Sequence, residues 1–91
     1  MDAYENRRRF ARLKITESTF AVDDTGYKLG RVAQASGGGM QVNADSADAL
    51  ARMPEGRTLT VTVVEPTSAT TNTFKVQVRY ITGTSVGMEF V

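Results

Sequence analysis

The chain contains no cysteine and no histidine among its 91 residues. Without cysteine there is no disulfide framework and no thiolate metal site. Without histidine the chain lacks the commonest general base and the commonest metal ligand. No paired-carboxylate motif stands out among its aspartates, which are Asp23, Asp24, Asp45 and Asp48 in the body of the chain. These absences argue against an enzyme and against a metal or a prosthetic cofactor.

Long apolar runs are also missing. The longest apolar stretches are only a few residues, which is too short for a transmembrane helix. The basic N-terminal region is not followed by the apolar segment of a secretory signal. We therefore expect a cytoplasmic protein with no membrane association. A length of 91 residues and a hydrophobic content of 41% are typical of one small globular domain.

Apolar and polar side chains alternate through most of the chain, as expected for β-strands with one buried face. We predict six strands, at about residues 13–21, 27–34, 39–43, 59–63, 74–80 and 86–90. The alanine-rich segment near residues 45–53 breaks the alternation and predicts one or two helical turns, capped by Asp45 or Ser46. Six short strands joined by tight turns favour an all-β fold, a small antiparallel barrel.

Two further expectations concern the second half of the chain. Residues 65–72 are predicted to form a hairpin loop, because Pro66 cannot donate a ladder hydrogen bond in a central strand. In the strand at 74–80, Phe74 and Tyr80 alternate with Lys75 and Arg79, so both aromatic rings are predicted to face the core.

Positive charge is concentrated near the N-terminus. Residues 1–14 carry two acidic residues and five of the eleven basic ones, a net charge of +3; the basic residues are Arg7, Arg8, Arg9, Arg12 and Lys14. Residues 15–91 carry six basic and eight acidic residues, a net charge of −2. We predict a flexible arm at 1–12 and a barrel at 13–91. The arm is either a solvated basic tail or a segment that captures an anion, since guanidinium groups suit phosphates and guanine edges.

The second unusual segment is Gln34-Ala35-Ser36-Gly37-Gly38-Gly39, between two predicted strands. One interpretation is a flexible turn or bulge, where glycine supplies backbone freedom. The other is a surface on which backbone N–H groups and the Ser36 hydroxyl approach a ligand closely. The segment is not a Walker loop, because no Gly-Lys-Ser/Thr sequence follows it.

Taken together, the two segments resemble the signature of the PilZ domain family, bacterial receptors for cyclic di-GMP. That signature is R-x-x-x-R followed by (D/N)-x-S-x-x-G. The chain has Arg8-Arg9-Phe10-Ala11-Arg12 and then the segment from Gln34 to Gly39, with glutamine in place of the family's Asp or Asn. The ending Gly87-Met88-Glu89-Phe90 is also similar to the family's closing strand. The resemblance covers about residues 6–91 and implies a barrel of PilZ type.

The resemblance implies a cyclic di-GMP site made of Arg7, Arg8, Arg9, Arg12, Gln34, Ser36 and Gly39. Arg8 and Arg12 would contact phosphate and a guanine O6/N7 edge, and Arg7 or Arg9 would stack on a base. Ser36 would donate a hydrogen bond, Gln34 would lie where the family reads a guanine, and Gly39 would keep the strand start free of a Cβ. The implied role is bacterial second-messenger signalling in motility or biofilm formation, through an unidentified protein partner.

Gln34 leaves an alternative open. An amide offers only part of the acceptor capacity that a carboxylate presents to guanine, and a lost polar pair costs about 1–3 kcal/mol. The alternative is a PilZ-like protein-interaction module that no longer binds the nucleotide. A third hypothesis, a nucleic-acid-binding barrel, is not favoured because the predicted strands lack a basic face studded with aromatic residues.

Overall fold

Six antiparallel strands close into a barrel in the structure, a computed structural model that describes residues 15–91. The elements in chain order are β1 (Phe20–Val22), β2 (Lys28–Ala35), β3 (Gly39–Ala44), α1 (Ala47–Ala51), β4 (Thr58–Glu65), β5 (Thr70–Thr82) and β6 (Ser85–Phe90). Around the barrel the strand order is β1-β2-β3-β6-β5-β4. The predicted all-β barrel with one short helical segment is confirmed, whereas the predicted arm at residues 1–12 lies outside the described residues.

The barrel interior is filled mainly by valine. β-Branched side chains suit the pleated, crowded inner face of a small barrel, because they pack well against neighbours on adjacent strands. The fully buried members of this core include Leu29, Val32, Val42, Met53, Val61, Val76 and Val86. With Ala21 on β1, which is also fully buried, every strand contributes to this core, and Met53 enters it from the segment after α1. The two-residue alternation seen in the sequence is therefore the inside-outside pattern of the barrel wall.

Helix α1 is a single short turn-like element that packs against β2 and β3. Ser46 is its N-cap, and the Ser46 hydroxyl accepts a hydrogen bond from the Ala49 amide at 3.1 Å. Just after the helix, Met53 is fully buried in the core. Within residues 15–91, no helix has the length and the hydropathy needed to cross a membrane.

The predicted first strand is too long. Of its described part, residues 15–19 are not a strand and β1 is only Phe20–Val22. The reason is a local turn, in which the Thr16 amide donates to the Thr19 hydroxyl at 2.8 Å and the Thr19 amide donates to the Thr16 carbonyl at 3.2 Å. Threonine hydroxyls compete in this way with ladder hydrogen bonds.

The predicted loop at residues 65–72 is also wrong in extent. β4 runs to Glu65 and β5 begins at Thr70, so the connection is only four residues long. Pro66 stands just after the last paired residue of β4, where its missing N–H costs no ladder bond. Ala69 completes the turn with a left-handed backbone at φ 55°.

A buried carboxylate holds this turn to the segment that precedes β1. Glu65 is only 2% exposed. One of its oxygens accepts from the Thr67 hydroxyl at 2.5 Å and from the Ser68 hydroxyl at 2.8 Å. The other oxygen accepts from the Thr16 hydroxyl at 2.9 Å. These bonds, above all those from Thr67 and Ser68, outweigh the effect of burial and lower the pKa of Glu65 from 4.5 to about 2.

We expect Glu65→Gln to reduce the pH dependence of stability in acid. The lowered pKa of Glu65 stabilises the fold fully above its ordinary value of 4.5, and that contribution disappears as the pH falls towards 2. Urea midpoints measured across this range should therefore fall more steeply for the wild type than for the variant. Glu55→Gln, at an exposed glutamate, is the matched control and should keep the wild-type slope. Parallel profiles for Glu65→Gln and wild type would contradict the role assigned to this carboxylate.

Candidate functional site

The Gln34–Gly39 segment forms the hairpin between β2 and β3. Gln34 and Ala35 end β2, and Gly39 begins β3. The Ser36 amide donates to the Gly39 carbonyl at 2.8 Å, which closes the turn. The Gly38 carbonyl accepts from the Phe90 amide at 2.9 Å, so the hairpin is also attached to β6. The motif is therefore held by a neighbouring strand as well as by its own turn.

A row of four residues crosses the outer face of the barrel beside this hairpin. Gln34 on β2 pairs with Gln41 on β3, Gln41 pairs with Gly87 on β6, and Gly87 pairs with Tyr80 on β5. All four line one groove, which has a volume of about 340 Å³. We call it the hairpin groove; its lining also includes Ser36, Gly39 and Arg79.

The two glutamines of the row bind each other. The Gln34 Nε2 group donates to Gln41 Oε1 at 2.8 Å. Gln34 is exposed and Gln41 is half-buried, and both side chains border the hairpin groove. The position that the family signature assigns to Asp or Asn is therefore occupied by an amide that already has a partner on the next strand.

Tyr80 does not face the core, contrary to the prediction, whereas Phe74 is buried as predicted. The pairing of β5 with β6 shifts its register between Val78 and Tyr80, so Arg79 and Tyr80 are both exposed on successive positions. Such a bulge inserts one residue into a strand and re-aims the side chains beyond it. The alternation of residues 74–80 continues unbroken through this point, so the sequence pattern carries no sign of the bulge.

The Tyr80 ring covers Gly87, and this position of the ring requires a residue without a side chain beneath it. A Cβ built on Gly87 would lie 2.2 Å from the Tyr80 ring, which is too close for any real contact. The ring itself remains half exposed, at 50% of its accessible surface. The glycine therefore allows an aromatic ring to lie flat on the barrel wall at one side of the groove.

Arg79 adds a cation to the same side of the groove. Its guanidinium donates to Gln77 Oε1 at 2.9 Å and lies 3.4 Å from Glu89 Oε1. Both side chains of the ion pair are more than half exposed, so the pair contributes little to stability. Sequence reasoning missed Gln41, Arg79 and Tyr80, because only the β3–β6 and β5–β6 pairings bring them beside the hairpin.

Of the residues predicted for the site, the structure brings Gln34, Ser36 and Gly39 together at the hairpin groove. Arg7, Arg8, Arg9 and Arg12 lie outside the described residues. Gly39 has a structural role of its own, since a Cβ there would meet the Met88 carbonyl oxygen on β6 at 2.2 Å. Close approach of β3 to β6 requires glycine at this position, whether or not a ligand is present.

The comparison with protein families matches residues 6–91 to the PilZ domain. The chain therefore belongs to the PilZ domain family, a family of cyclic di-GMP-binding adaptor modules. The resemblance found in the sequence is thus confirmed over essentially the whole chain. Comparisons with curated proteins and with solved structures gave no match.

We expect two adjacent glycines to respond differently to alanine. Gly39→Ala should lower the free energy of unfolding by about 1–3 kcal/mol, because the backbone of β3 or β6 must move to admit the Cβ. Gly38→Ala, with open space around the added Cβ, should change it by less than about 1 kcal/mol. Urea unfolding of both variants tests this, and equal midpoints would contradict the close β3–β6 approach.

We also expect Gly87 and Tyr80 to be energetically coupled. Gly87→Ala should destabilise the wild type by about 1 kcal/mol, because the half-exposed Tyr80 ring must leave the barrel wall. In a Tyr80→Ala background the same substitution should cost clearly less. A double-mutant cycle from urea unfolding measures the coupling, which is about 0.5–3 kcal/mol for side chains in contact. Additive effects would show that the ring does not cover Gly87.

Proposed function

We propose that this domain binds cyclic di-GMP between the arginines of residues 7–12 and the hairpin groove, and that binding alters its contact with a protein partner. The observation that carries the proposal is the shared groove of Gln34 and Ser36, the two polar side chains of the family's second motif. Both are exposed. The groove volume, about 340 Å³, is within the usual range of small-molecule sites, which is roughly 300–1,000 Å³.

The direction of the chain before β1 supports a contribution from the arginines. β1 runs antiparallel to β2, and the Thr19 carbonyl accepts from the Val32 amide at 2.9 Å. Thr19, the residue before β1, therefore lies beside the C-terminal half of β2, and Thr16 is bonded to Glu65 at the end of β4. That half of β2 ends in Gln34 and Ala35, at the rim of the hairpin groove.

In this proposal each group matches one part of the ligand. Arg8 and Arg12 bind phosphate and a guanine O6/N7 edge, for which paired guanidinium donors are well suited. Arg7 or Arg9 stacks on a base, and the Ser36 hydroxyl donates to the ligand. Ordering the arginine segment costs about 1–2 kcal/mol per fixed residue, which the charge-assisted bonds offset. The domain then acts in a bacterial pathway of motility or biofilm control, in the cytoplasm where the messenger is made.

Calorimetric titration with cyclic di-GMP tests the proposal. Arg8→Ala and Arg12→Ala should each weaken binding by about 10- to 150-fold, since each removes a charge-assisted hydrogen bond of about 1.5–3 kcal/mol. Gln34→Asp should strengthen it by supplying a second acceptor oxygen, so that the guanine N1–H and N2–H groups are both paired. Arg57→Ala, at an exposed arginine outside the groove, is the matched control. The absence of heat at high micromolar ligand, with the domain folded, would refute the proposal.

A protein-interaction module without nucleotide binding is the second candidate. The observation that favours it is the bond between Gln34 and Gln41, because the family's base-reading position is already engaged. This candidate predicts that the backbone amide signals of Gln34 and Ser36 do not shift on addition of cyclic di-GMP. Saturable shifts at these amides would exclude it.

A further inference from the structure

Gln34 and Gln41 form an amide pair with hydrogen-bonding atoms that no other residue of the described part of the chain uses. The two residues are directly opposite each other on β2 and β3, and one bond joins them, from Gln34 Nε2 to Gln41 Oε1 at 2.8 Å. No other side chain or backbone group within residues 15–91 is bonded to either amide. Gln34 Oε1 therefore remains as an acceptor and Gln41 Nε2 as a donor, on two side chains that both border the groove.

This arrangement complements the Watson–Crick edge of guanine. That edge presents the O6 acceptor beside the N1–H donor. Gln41 Nε2 can donate to O6 while Gln34 Oε1 accepts from N1–H. We propose that Gln41 is a second base-reading residue and that the Gln34–Gln41 pair reads one purine of the bound dinucleotide. The inference rests on the proposed cyclic dinucleotide binding and goes beyond the family motif, which does not include position 41.

The same pair can also complement adenine. Turning both amides over preserves one N–H···O bond between them, now donated by Gln41 Nε2 to Gln34 Oε1. The outward atoms are then the Gln34 Nε2 donor and the Gln41 Oε1 acceptor. Adenine presents an N6–H donor where guanine has O6, and an N1 acceptor where guanine has N1–H. Since no other described group fixes either amide, the pair follows whichever purine is present.

A carboxylate at position 34 has no such freedom. It only accepts hydrogen bonds, so it suits the guanine N1–H group and repels the lone pair of adenine N1. The amide pair therefore gives this domain a relaxed base preference at one of the two base positions. The chemical class of ligand is a cyclic purine dinucleotide in which one base is guanine or adenine.

The test compares cyclic di-GMP with 3′,3′-cyclic GMP–AMP by calorimetry on the full chain. The wild type should bind the two ligands with affinities within about 5-fold of each other. Gln34→Glu keeps the side-chain length and removes the donor. The ratio of the two affinities should therefore shift towards cyclic di-GMP by about 5- to 150-fold. Because both ligands carry two phosphates, the negative charge added at position 34 weakens the binding of both equally and leaves the ratio of their affinities unchanged.

Gln41→Leu removes the second amide and should weaken the binding of both ligands by about 5- to 150-fold. The matched control is Asn43→Leu, which removes an amide from the same strand and the same outer face but outside the groove. It should leave both affinities unchanged. Circular dichroism of each variant establishes that the barrel is intact.

Failure of the proposed function and failure of the role of Gln41 give different results in these titrations. No binding of either dinucleotide by the wild type would overturn the proposed function and the inference with it. Binding of cyclic di-GMP that is equally tight in Gln41→Leu would overturn the role of Gln41 and leave the proposed function standing. Rejection of the hybrid by the wild type as strong as in Gln34→Glu would overturn the relaxed base preference alone.

Discussion

The pairing of β3 with β6 is the contact on which the candidate site depends. It joins the first half of the chain to the last strand, with Gly39 opposite Glu89 and Asn43 opposite Ser85. Without it, the strands would form an open sheet in the order β3-β2-β1-β4-β5-β6, and the β2–β3 and β5–β6 hairpins would lie at opposite edges of that sheet. Since Gly39 has no side chain, the two backbones approach closely enough for this pairing to begin at the hairpin itself.

That pairing also explains which parts of the site the sequence could reveal. Gln34 and Ser36 belong to a local motif, so spacing along the chain was sufficient to find them. Gln41 belongs to no motif, and only its pairing with Gln34 across the ladder brings it to the groove. Tyr80 reaches the groove only because β5 is bulged, and a bulge leaves a regular apolar-polar alternation unchanged. Residues that act through non-local register are therefore the ones that sequence spacing does not identify.

The sequence predicted more of the fold than of the site, for a physical reason. A barrel wall has one inner and one outer face, so burial imposes the two-residue period wherever a strand is well paired. The predicted strand boundaries were wrong where side-chain hydrogen bonds take the place of hydrogen bonds between strands. The Thr16–Thr19 turn uses hydroxyl groups in place of strand partners, and Glu65 fixes a short turn with its carboxylate. Apolar periodicity does not report either arrangement.

The position of Tyr80 has a consequence for how this domain can be observed. The chain contains no tryptophan and three tyrosines, so tyrosine dominates its intrinsic ultraviolet emission. Tyr27 lies under the Arg52 guanidinium, 3.9 Å from the ring centroid and away from the hairpin groove. Tyr80 stands half exposed at the groove itself. The protein thus carries a natural fluorophore at its candidate site, and occupancy of the groove alters the solvent around that ring without any attached label.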